Sequence, residues 1–181
     1  MANSSFIKAY GLHSERNEVD WRRNGSLLGH IGGRVDTLRL VDFWQQTGIY
    51  VLHDAHGAYY VGQAERQALG ERLRQHTTDT HAERWDRFSW FGFNAILTGQ
   101  TKTGVRPVKA TRAKHLLGDV AETISDVEAL LIMALGTNRT GNKHTEKFRD
   151  AECWQQIWDG EREDWLSIAQ RQVEEERNPW R

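Results

Sequence analysis

A chain of 181 residues with 27% charged and 38% hydrophobic side chains is long enough for one packed core under a strongly charged surface. Its formal net charge of −1 gives no overall pull toward nucleic acid, and its longest apolar run, "ALLIMAL", is far too short to span a bilayer. The N-terminal "MANSSFIKAYGLHSERNEVD" carries no apolar run of signal-peptide length, so a cytoplasmic location is expected. Cys153 is the single cysteine, which excludes an intrachain disulfide.

Residues 1 to 30 lack a clear period and hold the breakers "NGS" and "GHIGG", so they read as an irregular arm. "RVDTLRLVDFW" alternates apolar and polar positions and predicts a strand. "GIYVL" and "AYYVG" are aromatic and β-branched runs around the turn residues of "HDAHG", which predicts a β-hairpin holding Tyr50, Tyr59 and Tyr60. Alternation places Tyr59 on the face away from Tyr60, in a packing role.

"ERQALGERLRQHT" predicts a helix with Leu69 and Leu73 one turn apart on its buried face. Arg72 and His76 project from the edge of that stripe, whereas Arg74 points away. "RFSWFGF" predicts a third strand. Residues 98 to 118 then carry Lys102, Arg106, Lys109, Arg112 and Lys114 with no acidic residue, a run that suits either a solvated loop or contact with a phosphate backbone.

In "ETISDVEALLIMALG" the positions Val127, Leu130, Leu131, Ala134 and Leu135 recur at helical spacing, which predicts a buried helix stopping near Gly136. The tail predicts two more amphipathic helices split at Asp159 and Gly160, with Trp154, Trp158, Trp165, Ile168 and Val173 facing inward. Residues 146 to 181 hold ten acidic and six basic side chains, a net of −4.

Gly48 to Tyr50, "GIY", followed by "YVG" at Tyr60 to Gly62, resembles the signature of the GIY-YIG nuclease family. Arg72 and His76 on the following helix, Glu128 at the start of a later one, and the order β-β-α-β-α extend the resemblance over roughly residues 46 to 145. Residues 1–45 form an N-terminal extension and 146–181 a helical C-terminal one. The fold implied is α/β (α+β), a small mixed three-stranded sheet flanked by helices, with 98–118 as a basic insertion.

The resemblance implies a DNA endonuclease dependent on Mg²⁺ or Mn²⁺. Tyr50 would orient or deprotonate the attacking water, Arg72 would contact the scissile phosphate, and Glu128 would hold the metal. Tyr60 would support the water or phosphate from the neighbouring strand, and His76 would stand behind Tyr50. A phenol with a pKa near 10 is a poor base, so a nearby cation must lower that pKa or the phenol must pass its proton onward as it accepts one. The family's asparagine matches Asn142, with Asn138 as the alternative. Duplex DNA is the expected substrate, with selectivity from loops, a homodimer or a partner protein.

Plainer readings stand beside these. Tyr50 and Tyr60 also suit ordinary strand aromatics and Arg72 a solvated arginine. "SDVE" reads as a capping box in which Ser125 caps the helix and Glu128 reaches back to it. His53, His56, His81 and Cys153 show no pair at metal-ligand spacing and read as loop residues. A non-catalytic binding module, or a nuclease subunit active only within a larger assembly, is the alternative function.

Overall fold

The computed structural model describes residues 6–23, 25–32, 38–109, 120–136, 148 and 151–177. In chain order the elements are β1 (Ala9–Glu15), β2 (Leu28–Ile31), β3 (Arg39–Asp42), β4 (Gly48–Asp54), β5 (Gly57–Ala64), α1 (Leu69–Gln75), β6 (Arg87–Gly92), β7 (Val105–Pro107), α2 (Val120–Leu135), β8 (Glu152–Cys153), β9 (Gln155–Gln156) and α3 (Arg162–Arg177). Among the described residues, no helix is long and apolar enough to cross a membrane.

The mixed α and β class agrees with expectation, but the sheet is larger than the three strands foreseen. One sheet runs β5-β4-β6-β1-β8 and a second runs β7-β3-β2-β9. Among the described residues, only β1–β8 and β3–β7 pair in parallel. The β4–β5 hairpin forms around a tight turn in which Asp54 Oδ1 accepts the His56 N–H at 2.7 Å and Gly57 takes φ +120°, a conformation that favours glycine.

The N-terminal segment is not the irregular arm expected. β1 lies inside the first sheet, antiparallel to β6, and the register shifts between Gly11 and Ser14, where His13 takes φ 52°. That bulge breaks the alternation a sequence pattern relies on. Nor are the described residues of the tail two α-helices: "ECWQQ" supplies β8 and β9, a 3-10 turn at Asp159–Glu161 follows, and α3 is the one α-helix among them, as expected. Trp154 and Val173 are buried as expected, whereas Trp158 is half exposed.

Side chains alternate across the first sheet. Tyr50, Leu52, Phe88 and Trp90 enter a core shared with Leu69 and Leu73 of α1, with Val41 of the second sheet and with Phe43 just beyond β3. Tyr10, Val51 and Phe91 face the other way, against Ala129, Leu130, Met133 and Ala134 of α2. The second sheet's outer face, Leu28 and Leu40, is covered by Ala169 and its neighbours on α3. The layers run α2, sheet, sheet, α3, with α1 beside the hairpin in the shared core.

α2 departs from the expected face. Leu130 and Ala134 are buried, but Val127, Leu131 and Leu135 are 43%, 51% and 50% exposed, while Asp126 is buried. The second half of the helix, Ala129–Leu135, is apolar all round, so the sequence fits more than one inward face, and Asp126 lies on the buried one, where it accepts the Phe6 N–H at 3.2 Å.

Candidate functional site

The two glycines of the tyrosine hairpin are set by close approach. Gly62 pairs with Tyr50 across the β4–β5 ladder, and a Cβ there would lie 2.1 Å from the Tyr50 hydroxyl oxygen. A Cβ on Gly48 would lie 2.0 Å from the carbonyl oxygen of Phe91 on β6. Gly62 thus leaves the space that the phenol fills, and Gly48 lets β4 close against β6.

Tyr50 is fully buried, and its hydroxyl lies 2.6 Å from Nε2 of His76. His76 closes α1 at its C-terminal cap, where the Trp85 indole N–H donates to its carbonyl at 3.0 Å. Its Nδ1 lies 2.7 Å from Oδ2 of Asp79. Asp79 sits in the turn beyond the helix, with its Oδ1 accepting the His81 N–H at 2.8 Å. Burial of Asp79 pushes its pKa up, but the bonds from His81 and His76 outweigh it and hold the carboxyl below its usual value.

That network settles the proton positions at neutral pH. An ionised Asp79 only accepts, so Nδ1 of His76 carries the ring proton and donates to it. Burial, helped by Arg72 and His81, keeps the His76 pKa below 6.5 despite Asp79, so the ring is neutral. Nε2 is therefore an acceptor and Tyr50 donates to it.

Arg72 and Tyr60 also act on the Tyr50 hydroxyl, Arg72 favouring its ionisation and Tyr60 opposing it. Both are half-buried and form the outward side of the cluster, where Arg72 donates from Nη1 to Gln75 Oε1 at 2.9 Å. Among the described residues Arg72 has no carboxylate partner, whereas Arg74 pairs with Glu71 at 2.9 Å. Of the two ways to make a phenol useful, lowering its pKa is not what this environment achieves. Burial, the largest influence, outweighs Arg72 and raises Tyr50 to about 12.

Tyr59 is not on the opposite face from Tyr60. The β4–β5 register slips between Leu52 and His53, with Leu52 opposite Tyr60 and His53 opposite Ala58, so Tyr59 is the extra residue of a bulge. It turns to the same side, where its hydroxyl lies 2.9 Å from Nδ1 of His81 and the Arg84 guanidinium lies 4.3 Å over its ring. The Tyr60 ring lies tilted against that of His81, with centroids 4.6 Å apart.

The structure therefore brings Tyr50, Tyr60, Arg72 and His76 together, and leaves Glu128 apart. Glu128 lies within α2 rather than at a helix start, and its side chain is exposed. α2 covers the sheet face opposite to Tyr50. Ser125 also lies inside the helix, which begins at Val120, so the capping-box reading falls as well. No cluster of three or more histidine, cysteine or acidic groups includes Glu128 among the described residues.

Asn138, Asn142, Arg112 and Lys114 lie outside the described residues. Lys102 and Lys109 are exposed, and Arg106 lies half-buried on β7, at the edge of the second sheet rather than beside the hairpin. His53 is no loop residue: it is buried on β4, its Nε2 3.0 Å from the Ser89 hydroxyl oxygen and its ring 4.7 Å from that of His13. His56 and Cys153 are exposed.

Sequence reasoning missed Asp79, the group that orients His76. Its signal was the string His76-x-x-Asp79-x-His81 in the polar turn after the helix. Comparison of the chain with protein-family models, with curated proteins and with solved structures gave no match.

Proposed function

We propose that this protein hydrolyses phosphodiester bonds in DNA, with the Tyr50–His76–Asp79 chain as its proton relay and Arg72 as its phosphate contact. The observation that carries this reading is the 2.6 Å contact from the Tyr50 hydroxyl to a histidine whose other nitrogen is held at 2.7 Å by a carboxylate. A pKa of about 12 leaves only about one phenol in 10⁵ ionised at pH 7, so a resting phenolate does no work. A concerted transfer avoids it.

As water attacks phosphorus, its proton passes to the Tyr50 oxygen while the phenol proton passes to Nε2 of His76. The resulting imidazolium is stabilised by Asp79, much as an acid orients the histidine of a hydrolytic triad. The new P–O bond forms as the bond to the leaving sugar oxygen breaks, and that oxygen takes a proton from solvent. Arg72, with no carboxylate partner among the described residues, offsets the charge that grows on the phosphorane oxygens. Tyr60 supports the water from the outward side. Lys102 and Lys109 extend contact along the backbone, and a second copy or a partner protein adds selectivity.

The metal expected from the resemblance is a variable of the test, since Glu128 is displaced from the relay. Plasmid and linear duplex are incubated with the protein in Mg²⁺, Mn²⁺ or EDTA, beside Tyr50→Phe, Arg72→Ala and Glu128→Ala. Discrete fragments lost in the first two variants support the reading, and retention by Glu128→Ala removes that residue from the site. Equal cleavage by wild type and Tyr50→Phe sinks it.

The complete burial of Tyr50 favours a second reading, in which the same chain of bonds braces the hairpin of a non-catalytic nucleic-acid-binding module. That reading expects Tyr50→Phe to lower stability and leave DNA affinity unchanged, with no cleavage under any condition.

A further inference from the structure

The turn after α1 gathers His76, Asp79 and His81 so that one ligand atom from each lies within 4.8 Å of the others. We propose that this turn binds one divalent transition-metal ion of the Zn²⁺ type, and that the bound ion switches the Tyr50 relay off. The second half rests on the relay reading above; the binding itself does not.

Two imidazoles and one carboxylate form a donor set suited to Zn²⁺, Co²⁺ or Ni²⁺, whereas Mg²⁺ prefers oxygen atoms and several waters. Tetrahedral coordination with arms of about 2.0–2.1 Å places ligand atoms about 3.3 Å apart. The His76–Asp79 separation of 2.7 Å falls short of that value, and no pair of the three ligand atoms lies more than 4.8 Å apart. The adjustment falls on Asp79 and His81, both partly exposed on a turn, while buried His76 stays in place.

The rings are already held in the manner of metal-binding histidines. Tyr59 fixes His81 through Nδ1 at 2.9 Å, the tilted Tyr60 ring packs against it, and Trp85 anchors the His76 backbone. Solvent on the exposed side of Asp79 and His81 supplies the fourth position.

An ion on Nδ1 of His76 takes the lone pair there, and the ring's one proton moves to Nε2. The ring then donates toward the Tyr50 oxygen instead of accepting its proton. A relay whose acceptor has become a donor cannot take a proton from water.

The metal-free full-length protein is titrated with Co²⁺ and followed by its visible absorption, beside His81→Ala, a residue outside the relay. The expected result is a tetrahedral band saturating at one ion per chain, displaced by Zn²⁺, and at least tenfold weaker in His81→Ala, whose metal-free circular dichroism at the titration temperature shows the native fold. No band, or equal affinity in His81→Ala, overturns the site. Nitrogen-15 NMR of the histidine rings then follows Nε2 of His76, expected to become protonated on Zn²⁺ addition; an unprotonated Nε2 overturns the switch. Zn²⁺ added to the Mg²⁺-supported cleavage reaction is expected to inhibit wild type at least tenfold more than His81→Ala. If no cleavage occurs at all, the relay reading fails while the Co²⁺ and NMR results still decide the site.

Discussion

The hydroxyl of Tyr50 lies 2.6 Å from Nε2 of His76, so a strand residue is bonded to the cap of a helix 26 positions later. Each end of that contact depends on a third residue. Gly62 leaves room for the phenol, and Asp79 sets which way the proton points.

Removing the orienting carboxylate tests the second dependence. Asp79→Asn leaves a neutral amide that no longer demands a proton on Nδ1, so Nε2 loses its enforced acceptor role. The expected outcome is a fall in cleavage rate of about 10² to 10⁴ with little change in DNA affinity. Single-turnover kinetics beside an equilibrium binding assay separate the two.

Filling the glycine tests the first. A methyl at position 62 would overlap the Tyr50 oxygen and force the phenol or the β4–β5 ladder to shift. Gly62→Ala is expected to cost about 1–3 kcal/mol in urea unfolding. In the double variant with Tyr50→Ala the cost should shrink, because the clashing atoms, the hydroxyl oxygen at 2.1 Å and Cζ at 2.2 Å, have both gone; simple additivity would show that the clash lies elsewhere.

Acid should loosen the first sheet. Burial, with His13 and Arg87 adding to it against Asp86 and Asp54, lowers His53 from 6.5 to about 4. The unfolded chain therefore binds the extra proton first, and stability is lost as pH falls from 6.5 toward 4. The ceiling for this one group is about 3 kcal/mol. Urea midpoints measured at pH 7.5 and 4.5 should converge in His53→Gln relative to wild type; an unchanged pH dependence would show that His53 is already protonated when folded.

The two faces of α2 should respond very differently. Leu131→Gln, on the exposed side, is expected to change stability by less than about 0.5 kcal/mol, whereas Met133→Ala should cost about 2–5 kcal/mol. A large effect of Leu131→Gln would mean that this side is covered in solution.

Salt dependence gauges the basic segment. Lys102→Gln with Lys109→Gln is expected to reduce the slope of log affinity against log salt by up to about 1.8, near 0.9 for each phosphate no longer neutralised. Arg106 is a poorer probe, because it is half-buried on β7 and its removal would disturb packing against β3.

The hairpin was legible because two aromatic, β-branched runs flank a turn with Asp54 and Gly57, and local chemistry decides such an element. Helix spacing set Arg72 and His76 at the edge of the stripe of Leu69 and Leu73, but their closeness to Tyr50 was implied by the resemblance alone. Asp79 was not legible, since it lies past the helix, where position follows turn geometry that has no period. β1 was hidden by its bulge at His13, and β8 and β9 are two residues each, too short to show alternation. The Glu128 placement failed for a different reason. Where a helix is apolar all round, as over Ala129–Leu135, the inward face is set by what it meets, which the sequence pattern does not carry.

The parallel pairing of β1 with β8 joins Ala9 to Glu152, and β2 likewise waits for β9. A ribosome that has released the first hundred residues has made the hairpin, α1, β6 and every group around Tyr50, yet both sheets still present an unpaired border to their surroundings. The nascent chain thus passes through a stage at which its proton relay can form while its strand edges stay open to other chains, and slow translation between residues 100 and 150 would lengthen that exposure.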